Sequence, residues 1–390
     1  MYPDDTAVLF KQKNNYFSHD PFDLWAAPFL GGLKRKWYSG NKAAKILLYF
    51  LYGIDWLAPK LMRRAFRIRA QQFPHSIALL QGTRYRISHI EFVDRIEEMR
   101  VDFGWGLPFT WYSKNGIYPA KIPLITATPY VLDALLKVPK DSPAKAKANL
   151  LFDESWAFMS SLKRHSDTEK FLALSYAPFD DEVTVINANS YAAWAYAMHA
   201  VYGRPQRREK AHRKVIRLVN WIVSQQQRDG SWYYLCQRGD WDMIDGFHSC
   251  FVVRNLNYVQ KLIPETKDII SDAIMQGWAY IRGEFFDCHA GLCKRYKERH
   301  RSDPFKFDIY DQAEYLGLLI DFGHLREAES LANRVTEKFY RNGGWFCRID
   351  FLGRPWGRGF MRWGIIPFIV NHTRLEKALA QERIRTKCVE

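Results

Sequence analysis

The chain of 390 residues contains one type of segment that recurs at intervals of about sixty residues. Each copy opens with small or polar residues, continues as an apolar run of helical length, and ends near a Gly, a Pro or a short loop. Anchored on Thr128, Asn189, His248, Gln312 and Trp363, successive copies lie 61, 59, 64 and 51 residues apart. A period of this size is typical of repeated helix pairs that bury their apolar faces on their neighbours.

More amphipathic and more charged stretches lie between these apolar segments, at 144–162, 205–227, 266–282, 325–340 and 374–386. An inner ring of apolar helices wrapped by an outer ring of half-exposed helices produces this alternation. We therefore predict an all-α fold, an (α/α)5–6 toroid or barrel of repeated helix pairs with short hairpin arms. The best candidate for an arm is Gly230–Tyr234.

The repeat also predicts how the chain is organised. Five parallel inner helices should start near residues 129, 189, 248, 311 and 363, with a sixth pair supplied by the region before residue 100. We predict that 101–390 is one toroid domain. Residues 1–100 should be a basic helical or extended segment that packs on it.

Inner helices of a toroid run parallel, so their N-terminal ends gather at one mouth. The polar residues that open them should converge there: Thr126, Asn187, Asn189, Asp245, His248, Asp308, Asp311 and Gln312. Aligned helix dipoles favour anionic groups at such a mouth. Because Ser, Thr, Asn and Asp are preferred at any helix start, each residue alone is better explained as a cap than as a catalyst. The aromatic fraction of 16% leaves rings to line a cleft, and we expect walls from Trp105, Trp111, Trp232 and Trp363.

The net charge of +15 is unevenly distributed. Ten basic residues lie between Lys34 and Arg69, against Asp55 alone. This segment is either a solvated basic face or a surface that attracts a polyanion or an anionic membrane. No secretory signal or membrane-spanning stretch is visible, which predicts a cytoplasmic protein, free or peripheral at the inner face of the membrane. The sequence carries no nucleotide-binding or metal motif, and we predict no cofactor, no metal and no nucleic-acid partner.

Several motifs resemble, in order along the chain, the VpsJ-like family of bacterial polysaccharide-biosynthesis proteins. They are His19–Asp23, Phe103–Trp111, Thr126–Pro129, Val185–Asn189, Gln226–Trp232, Asp245–His248 and Phe307–Glu314. The last three are similar, more distantly, to the helical domain of D-glucuronyl C5-epimerases, which act on uronic acids in a polymer. The resemblance implies an α/α toroid encoded with exopolysaccharide or capsule machinery.

We therefore expect a glycan-active enzyme, an epimerase, lyase or hydrolase, that acts on an acidic polysaccharide, an oligosaccharide or a lipid-linked repeat unit. A non-catalytic glycan-binding scaffold of a polysaccharide-synthesis complex is an alternative. A second alternative is an isoprenoid-processing toroid enzyme, which would need a strongly acidic or zinc-containing mouth.

Each reaction type requires different residues. Proton abstraction at C5 by an epimerase or lyase needs a base such as His248, oriented by Asp245, and an acid such as Tyr296 or Tyr310. Arg100 or Arg362 would neutralise the substrate carboxylate. Hydrolysis needs two carboxylates, for which Asp102, Asp245 and Asp308 are the candidates. The expected substrate-binding residues are Arg100, Trp105, Trp111, Asn187, Asn189, Trp232, Gln312, Arg362 and Trp363.

Overall fold

The computed structural model describes residues 16–113, 116–179, 183–237, 243–297 and 303–387. These residues form fourteen α-helices: α1 (Pro28–Tyr38), α2 (Lys42–Leu57), α3 (Pro59–Ala65), α4 (Pro74–Leu80), α5 (His89–Glu98), α6 (Thr128–Leu136), α7 (Lys145–Ser161), α8 (Ile186–Tyr202), α9 (Pro205–Ser224), α10 (Gly246–Leu262), α11 (Lys267–Phe285), α12 (Ile309–Asp321), α13 (Leu325–Phe339) and α14 (Ile366–Lys387).

Six helices form a closed inner ring. In the order α4, α6, α8, α10, α12 and α14, each contacts the next, and α14 returns to contact α4. The helices α5, α7, α9, α11 and α13 each pack on the outside of the inner helix that precedes them in the chain. This arrangement is the predicted α/α toroid, and α4 with α5 is the predicted sixth pair.

Apolar content separates the two rings. Every residue of α8 from Ile186 to His199 is buried, whereas the outer helix α9 buries one stripe that includes Val215, Leu218 and Ile222. Inner helices are covered by both neighbours and by the outer ring, so they bury their whole circumference and carry few charges.

Short antiparallel strands lie mainly in the connections that lead into inner helices. They are β1 (Trp111–Ser113), β2 (Gly116–Tyr118), β3 (Arg164–Asp167), β4 (Leu172–Leu174), β5 (Phe286–Asp287), β6 (Leu292–Cys293), β7 (Phe305–Asp308), β8 (Tyr340–Arg341), β9 (Gly344–Asp350) and β10 (Pro355–Arg358). Hairpins β1–β2, β3–β4 and β5–β6 stand alone. In the remaining sheet β9 pairs with β7, β8 and β10. These connections surround the N-terminal ends of the inner helices.

Two local predictions were wrong. Among the described residues Gly230–Tyr234 contains no strand: the adjacent Leu235 forms an isolated bridge to Val185, and the backbone N–H of Tyr234 donates to the carbonyl of Met243 at 2.9 Å. Residues 374–386 are not a separate outer helix, since α14 runs unbroken from Ile366 to Lys387. The last inner helix begins three residues after Trp363, because Gly364, at φ +80°, bends the backbone before it.

The helices α1–α3 and the residues just before α1 share a small apolar cluster, formed by Leu24, Trp25, Ala27, Leu30, Leu48 and Met62. The main core spans the toroid and includes residues of α4 and α5. The division of the chain at residue 100 stays a prediction, because ring contacts alone do not define an independently folding unit. No helix in the described ranges is long and apolar enough to cross a bilayer.

Candidate functional site

A cavity of about 340 Å³ opens at the N-terminal ends of the inner helices. All six ring positions contribute side chains to its wall, and α14 does so through the kinked segment before it. Ten of the 22 residues that line it are Phe, Tyr or Trp: Phe22, Trp111, Tyr130, Tyr176, Tyr191, Tyr234, Phe247, Phe251, Tyr310 and Trp363. Its volume lies near the lower end of the range of about 300–1,000 Å³ for small-molecule sites. The predicted mouth is therefore a pocket for a compact ligand.

His248 reaches this cavity from the first turn of α10. Asp245 is the N-cap of that helix, and its Oδ1 accepts the backbone N–H of His248 at 3.0 Å. The second carboxylate oxygen accepts from His248 Nδ1 at 2.7 Å. Because Nδ1 carries its hydrogen toward a carboxylate, Nε2 is the ring nitrogen able to accept a proton. The N-cap and first turn of α10 therefore place a histidine next to the carboxylate that orients it.

The charge state of Asp245 suits this role. Burial by itself raises the pKa of a carboxyl group, but nearby His248 and Arg295 outweigh burial and hold the pKa of Asp245 below its ordinary value. The group is therefore a carboxylate at neutral pH. A fixed negative charge next to the ring stabilises the imidazolium that forms when His248 takes up a proton.

His75 is a second histidine in the wall, and the sequence analysis missed it. It lies in α4, is only 5% exposed, and its Nδ1 has no hydrogen-bond partner. Burial, assisted by the charge of Arg362, lowers the pKa of His75 to about 3. In a ring of six helices α4 lies opposite α10, so His75 and His248 approach the cavity from opposite sides. Pro74–His75 at a helix start was the available signal.

Two cations and one amide are also part of the polar lining, which further includes Ser113 and Thr126. Arg295 and Arg362 both line the cavity. Arg362 is paired with buried Asp20, and Arg295 lies over the Phe247 ring at 4.5 Å. Asn187 also lines the cavity, and its Oδ1 is buried without a hydrogen-bond partner. Buried polar atoms without partners are uncommon, and in a cavity they are places where a ligand can donate.

Asp308 does not line the cavity, although it opens α12. Its Oδ2 accepts from Arg295 (3.1 Å), Arg348 (2.8 Å) and the indole N–H of Trp363 (2.7 Å), while Oδ1 accepts from the backbone N–H of Tyr310 (2.9 Å). One carboxylate therefore sits between two guanidinium groups. This cluster carries one net positive charge, its members Arg295 and Trp363 line the cavity, and we propose that Asp308 positions them.

Asn189 and Gln312 lie at matching places in their helices and fix loops. The side chain of Asn189 bonds to the backbone N–H and carbonyl of Leu174, at 2.7 and 3.2 Å. That of Gln312 bonds to the same two groups of Cys293, both at 2.7 Å. Each amide ties the last strand of a hairpin to the following inner helix. These residues shape the mouth without lining it.

The other predicted site residues lie elsewhere. Trp105 and Trp232 are buried in the core and donate their indole N–H groups to backbone carbonyls at 2.7 and 2.9 Å. Arg100 pairs with a glutamate of α7, and Asp102 is exposed in a turn. Tyr296 pairs with Asp245 through the backbone and is not part of the described wall. The structure thus brings together His248, Tyr310, Trp111, Asn187, Arg362 and Trp363, with Asp245 directly behind His248.

The acid–base character of the wall is distinctive. Among the described residues that line it, none is an Asp or a Glu. Asp311, buried behind Phe247 and bonded to its backbone N–H at 3.0 Å, has a pKa raised well above its ordinary value by burial. The proton-transfer groups on the wall are therefore imidazoles and phenols, and its charges are cationic.

A hydrogen-bonded network closes the inner end of the cavity. Arg254 pairs with Glu314 and donates to the hydroxyls of Tyr130 (2.8 Å) and Tyr191 (2.9 Å), which bond to each other at 2.6 Å. Tyr130 lines both this cavity and a second one of about 690 Å³ toward the other end of the ring. The network joins α6, α8, α10 and α12 and separates the two cavities.

Three solved structures have the same fold over most of their length. The cellobiose 2-epimerase from Bacillus thermoamylovorans B4167 matches with a TM-score of 0.55 and 12% identity, over 79% of this chain and 86% of its own. A sugar epimerase from a ruminal bacterium matches with a TM-score of 0.54 and 14% identity, over 79% and 86%. The cellobiose 2-epimerase from Spirochaeta thermophila DSM 6192 matches with a TM-score of 0.51 and 14% identity, over 79% and 87%. At such low sequence identities, these structural matches establish a shared fold and nothing more.

No protein-family model matches the sequence, and no curated protein matches it either. The resemblance to the VpsJ-like family therefore stays a prediction.

Proposed function

We propose that this protein is a glycan-modifying enzyme that transfers a proton to and from a sugar carbon, as an epimerase or a lyase. The observation that carries the proposal is the pair of histidines on opposite sides of one aromatic cavity, one of them oriented by a buried aspartate. The shared fold with proteins named as sugar epimerases supports it. A hydrolase would need two carboxylates at the cavity, and the described part of the wall has none.

The reaction would begin at a carbon next to a carboxylate or carbonyl group of the sugar. The C–H bond breaks, His248 Nε2 takes the proton, and the electron pair moves into the adjacent C–O group. Arg295 and Arg362 stabilise the resulting negative charge. Return of a proton from His75 to the opposite face gives the epimer. If the C–O bond to the next sugar breaks instead, and its oxygen is protonated, the product is an unsaturated sugar.

The charges around the cavity favour an acidic sugar. Burial and Arg362 keep His75 neutral when the cavity is empty. A sugar carboxylate bound against Arg362 would offset that positive charge and raise the pKa of His75, which prepares the ring to hold the proton. The substrate that fits best is a uronate unit of an acidic polysaccharide, an oligosaccharide or a lipid-linked repeat unit. The motifs that resemble the VpsJ-like family support exopolysaccharide or capsule biosynthesis as the setting.

Incubation in deuterated water tests the reaction type. Polyglucuronate and alginate are the acidic probes, with cellobiose as the uncharged comparison. Deuterium at an inverted stereocentre, detected by NMR, identifies an epimerase, and the ultraviolet absorbance of an unsaturated uronate identifies a lyase. New reducing ends without deuterium would identify a hydrolase and contradict the proposal. Saturable binding without any reaction would instead favour the scaffold function.

Single variants separate the two histidines. With one ring removed, each of His248→Ala and His75→Ala should lose inversion but still exchange the proton of one epimer, since one face keeps its base. Added imidazole should restore part of the activity of His248→Ala, because that side chain borders an open cavity. The matched control is His289→Ala, an exposed histidine in the β5–β6 turn, which should behave as wild type.

The basic segment 34–69 is the second part of the proposal. We propose that its exposed cations attract an anionic surface, and that a membrane carrying the glycan machinery provides it. Binding that weakens steeply as salt rises is the expected signature, because exposed charges are screened within about 8 Å at physiological ionic strength.

A further inference from the structure

Five large side chains of α1–α3 are unusually exposed. Phe29, Ile46, Phe50, Leu57 and Leu61 are between 62% and 72% exposed. In the rest of the described chain only Ile384, at 63%, exceeds 60% among large apolar side chains. Residues 46, 50 and 57 lie on one side of α2 at helical spacing, and Leu61 is in the next helix, α3. We call these five residues the apolar face.

The charges beside the apolar face have one sign. Eight basic side chains between residues 34 and 69 are exposed: Arg35, Lys36, Lys42, Lys45, Lys60, Arg64, Arg67 and Arg69. The only acid in that range, Asp55, is buried and bonds to buried Arg63 at 2.8 Å. The solvent-facing side of this segment is therefore cationic throughout.

These two properties select one occupant. Several strongly exposed apolar side chains in one segment, three of them along one side of a helix, mark an interaction site. A second copy of the chain would bring the same cations together, so like charges oppose self-association. An anionic bilayer matches both features at once, since apolar side chains enter the boundary between headgroups and acyl chains while Lys and Arg contact the headgroups.

The helices α1–α3 are firmly attached next to the cavity. Lys34 Nζ donates to the carbonyl of Tyr112 at 3.0 Å, beside the cavity residue Trp111. The indole N–H of Trp356 donates to the carbonyl of Asp55 at 3.0 Å, and that of Trp56 to the carboxylate of Asp350 at 3.2 Å. A surface that docked through α2 and α3 would therefore hold the mouth at a fixed place near it.

We propose that the apolar face inserts into the surface of an anionic bilayer and holds the mouth next to a lipid-linked glycan. The membrane contact stands on the exposed side chains alone, whereas the identity of the glycan rests on the proposed function. Insertion adds a contribution to the free energy of membrane binding that salt does not remove, because the burial of apolar side chains is not an electrostatic interaction.

Sedimentation of the full chain with vesicles tests the contact. The vesicles are equal parts phosphatidylglycerol and phosphatidylcholine, compared with phosphatidylcholine alone. The triple variant Ile46→Ser/Phe50→Ser/Leu57→Ser should bind the anionic vesicles at least about tenfold more weakly than wild type. The matched control Leu150→Ser/Met275→Ser/Ile384→Ser removes three exposed apolar side chains elsewhere. It should bind as wild type does.

Three results would overturn the proposal. The first is a triple variant that binds as tightly as wild type, and the second is wild type that does not bind anionic vesicles. The third is a wild-type dimer that ignores vesicles and becomes monomeric in the triple variant, which would make the face a contact between copies. Failure of the enzymatic proposal is distinguishable, because His248→Ala should keep vesicle binding and the triple variant should keep proton exchange on soluble saccharides.

Discussion

Replacing Arg254 by Met should destabilise the protein strongly. Arg254 is 7% exposed, and its partner Glu314 is 3% exposed. The substitution keeps the approximate shape but leaves the Glu314 carboxylate without its cation, and it removes a donor from Tyr130 and Tyr191. Breaking a buried ion pair in this way costs about 3–5 kcal/mol. That is a large part of the roughly 5–15 kcal/mol by which a folded protein is stable.

Removing both charges should cost much less. In Arg254→Met/Glu314→Leu neither charge of the pair remains, and the two tyrosine hydroxyls keep their mutual hydrogen bond. We expect the double variant to lie within about 2 kcal/mol of wild type, because apolar replacements of whole buried pairs are often neutral. The double-mutant cycle should then give a coupling energy of several kcal/mol.

The single variant should also depend on pH. Burial already raises the pKa of Glu314, against the opposing effect of Arg254. Without the cation the folded-state pKa rises further above the value of about 4.3 in the unfolded chain. An acid with a raised folded pKa contributes stability at low pH that is lost as pH rises through that pKa. Arg254→Met should therefore be more stable near pH 5 than near pH 8, relative to wild type.

Urea unfolding followed by tryptophan fluorescence, at several pH values, measures all of these quantities. An Arg254→Met variant that loses less than about 1 kcal/mol would refute the reasoning. A double variant whose loss of unfolding free energy is as large as the sum of the losses of the two single variants would also refute it. So would an Arg254→Met variant whose loss of unfolding free energy does not change with pH.

Three further predictions concern the mouth. Asp245→Asn keeps the helix cap but turns an N–H donor toward His248 Nδ1. At each pH of the kcat profile, kcat should therefore fall by about 10²–10⁴, with little change in Tm. Asp308→Asn places an amide N–H against Arg295 and other donors, so it should cost about 3–5 kcal/mol in urea unfolding, and an unchanged midpoint would contradict this. His75 has a folded pKa of about 3 against about 6.5 unfolded, so its contribution to stability is present above pH 6.5 and is lost on acidification. The fall in unfolding free energy between pH 7 and 4 should be smaller in His75→Phe.

The starts of the inner helices were predictable because their causes are local. A polar cap followed by an apolar run fixes both the beginning of a helix and its burial. The predicted starts at 129, 189, 248, 311 and 363 lie within three residues of the observed starts at 128, 186, 246, 309 and 366. The ring follows from these units, because each must cover its apolar surface with the next.

The sixth inner helix was located only coarsely. α4 has seven residues, too few to display a helical period, and no segment before residue 100 repeats the pattern of the later ones. His75 could not be assigned to the mouth without that helix. Its role depends on the closure of the ring between α14 and α4, a contact between residues almost 300 positions apart.

The sequence could not show that Asp245 and Asp308 have different roles either. The difference depends on which donors bond to the second oxygen of each carboxylate. Both residues cap an inner helix with Oδ1. At Asp245 the other oxygen holds one histidine that faces the cavity, so capping and orienting coexist in one carboxylate. At Asp308 the other oxygen is occupied by three donors, two of them arginines from outside the helix.

A polar residue at a helix start can therefore take part in a reaction only where long-range packing gives it a partner that faces the cavity. At the mouth of this toroid Asp245 and Asp308 are occupied by helix caps, an imidazole and guanidinium groups, while the titratable groups on the described wall are imidazoles, phenols and guanidinium cations. Such a wall is poor at activating water between two carboxylates and well suited to moving a proton beside a sugar carboxylate. What favours proton transfer over hydrolysis is less the identity of any one residue than which acceptor atoms are free. The oxygens of Asp245 and Asp308 already accept hydrogen bonds, whereas imidazole nitrogens face the cavity.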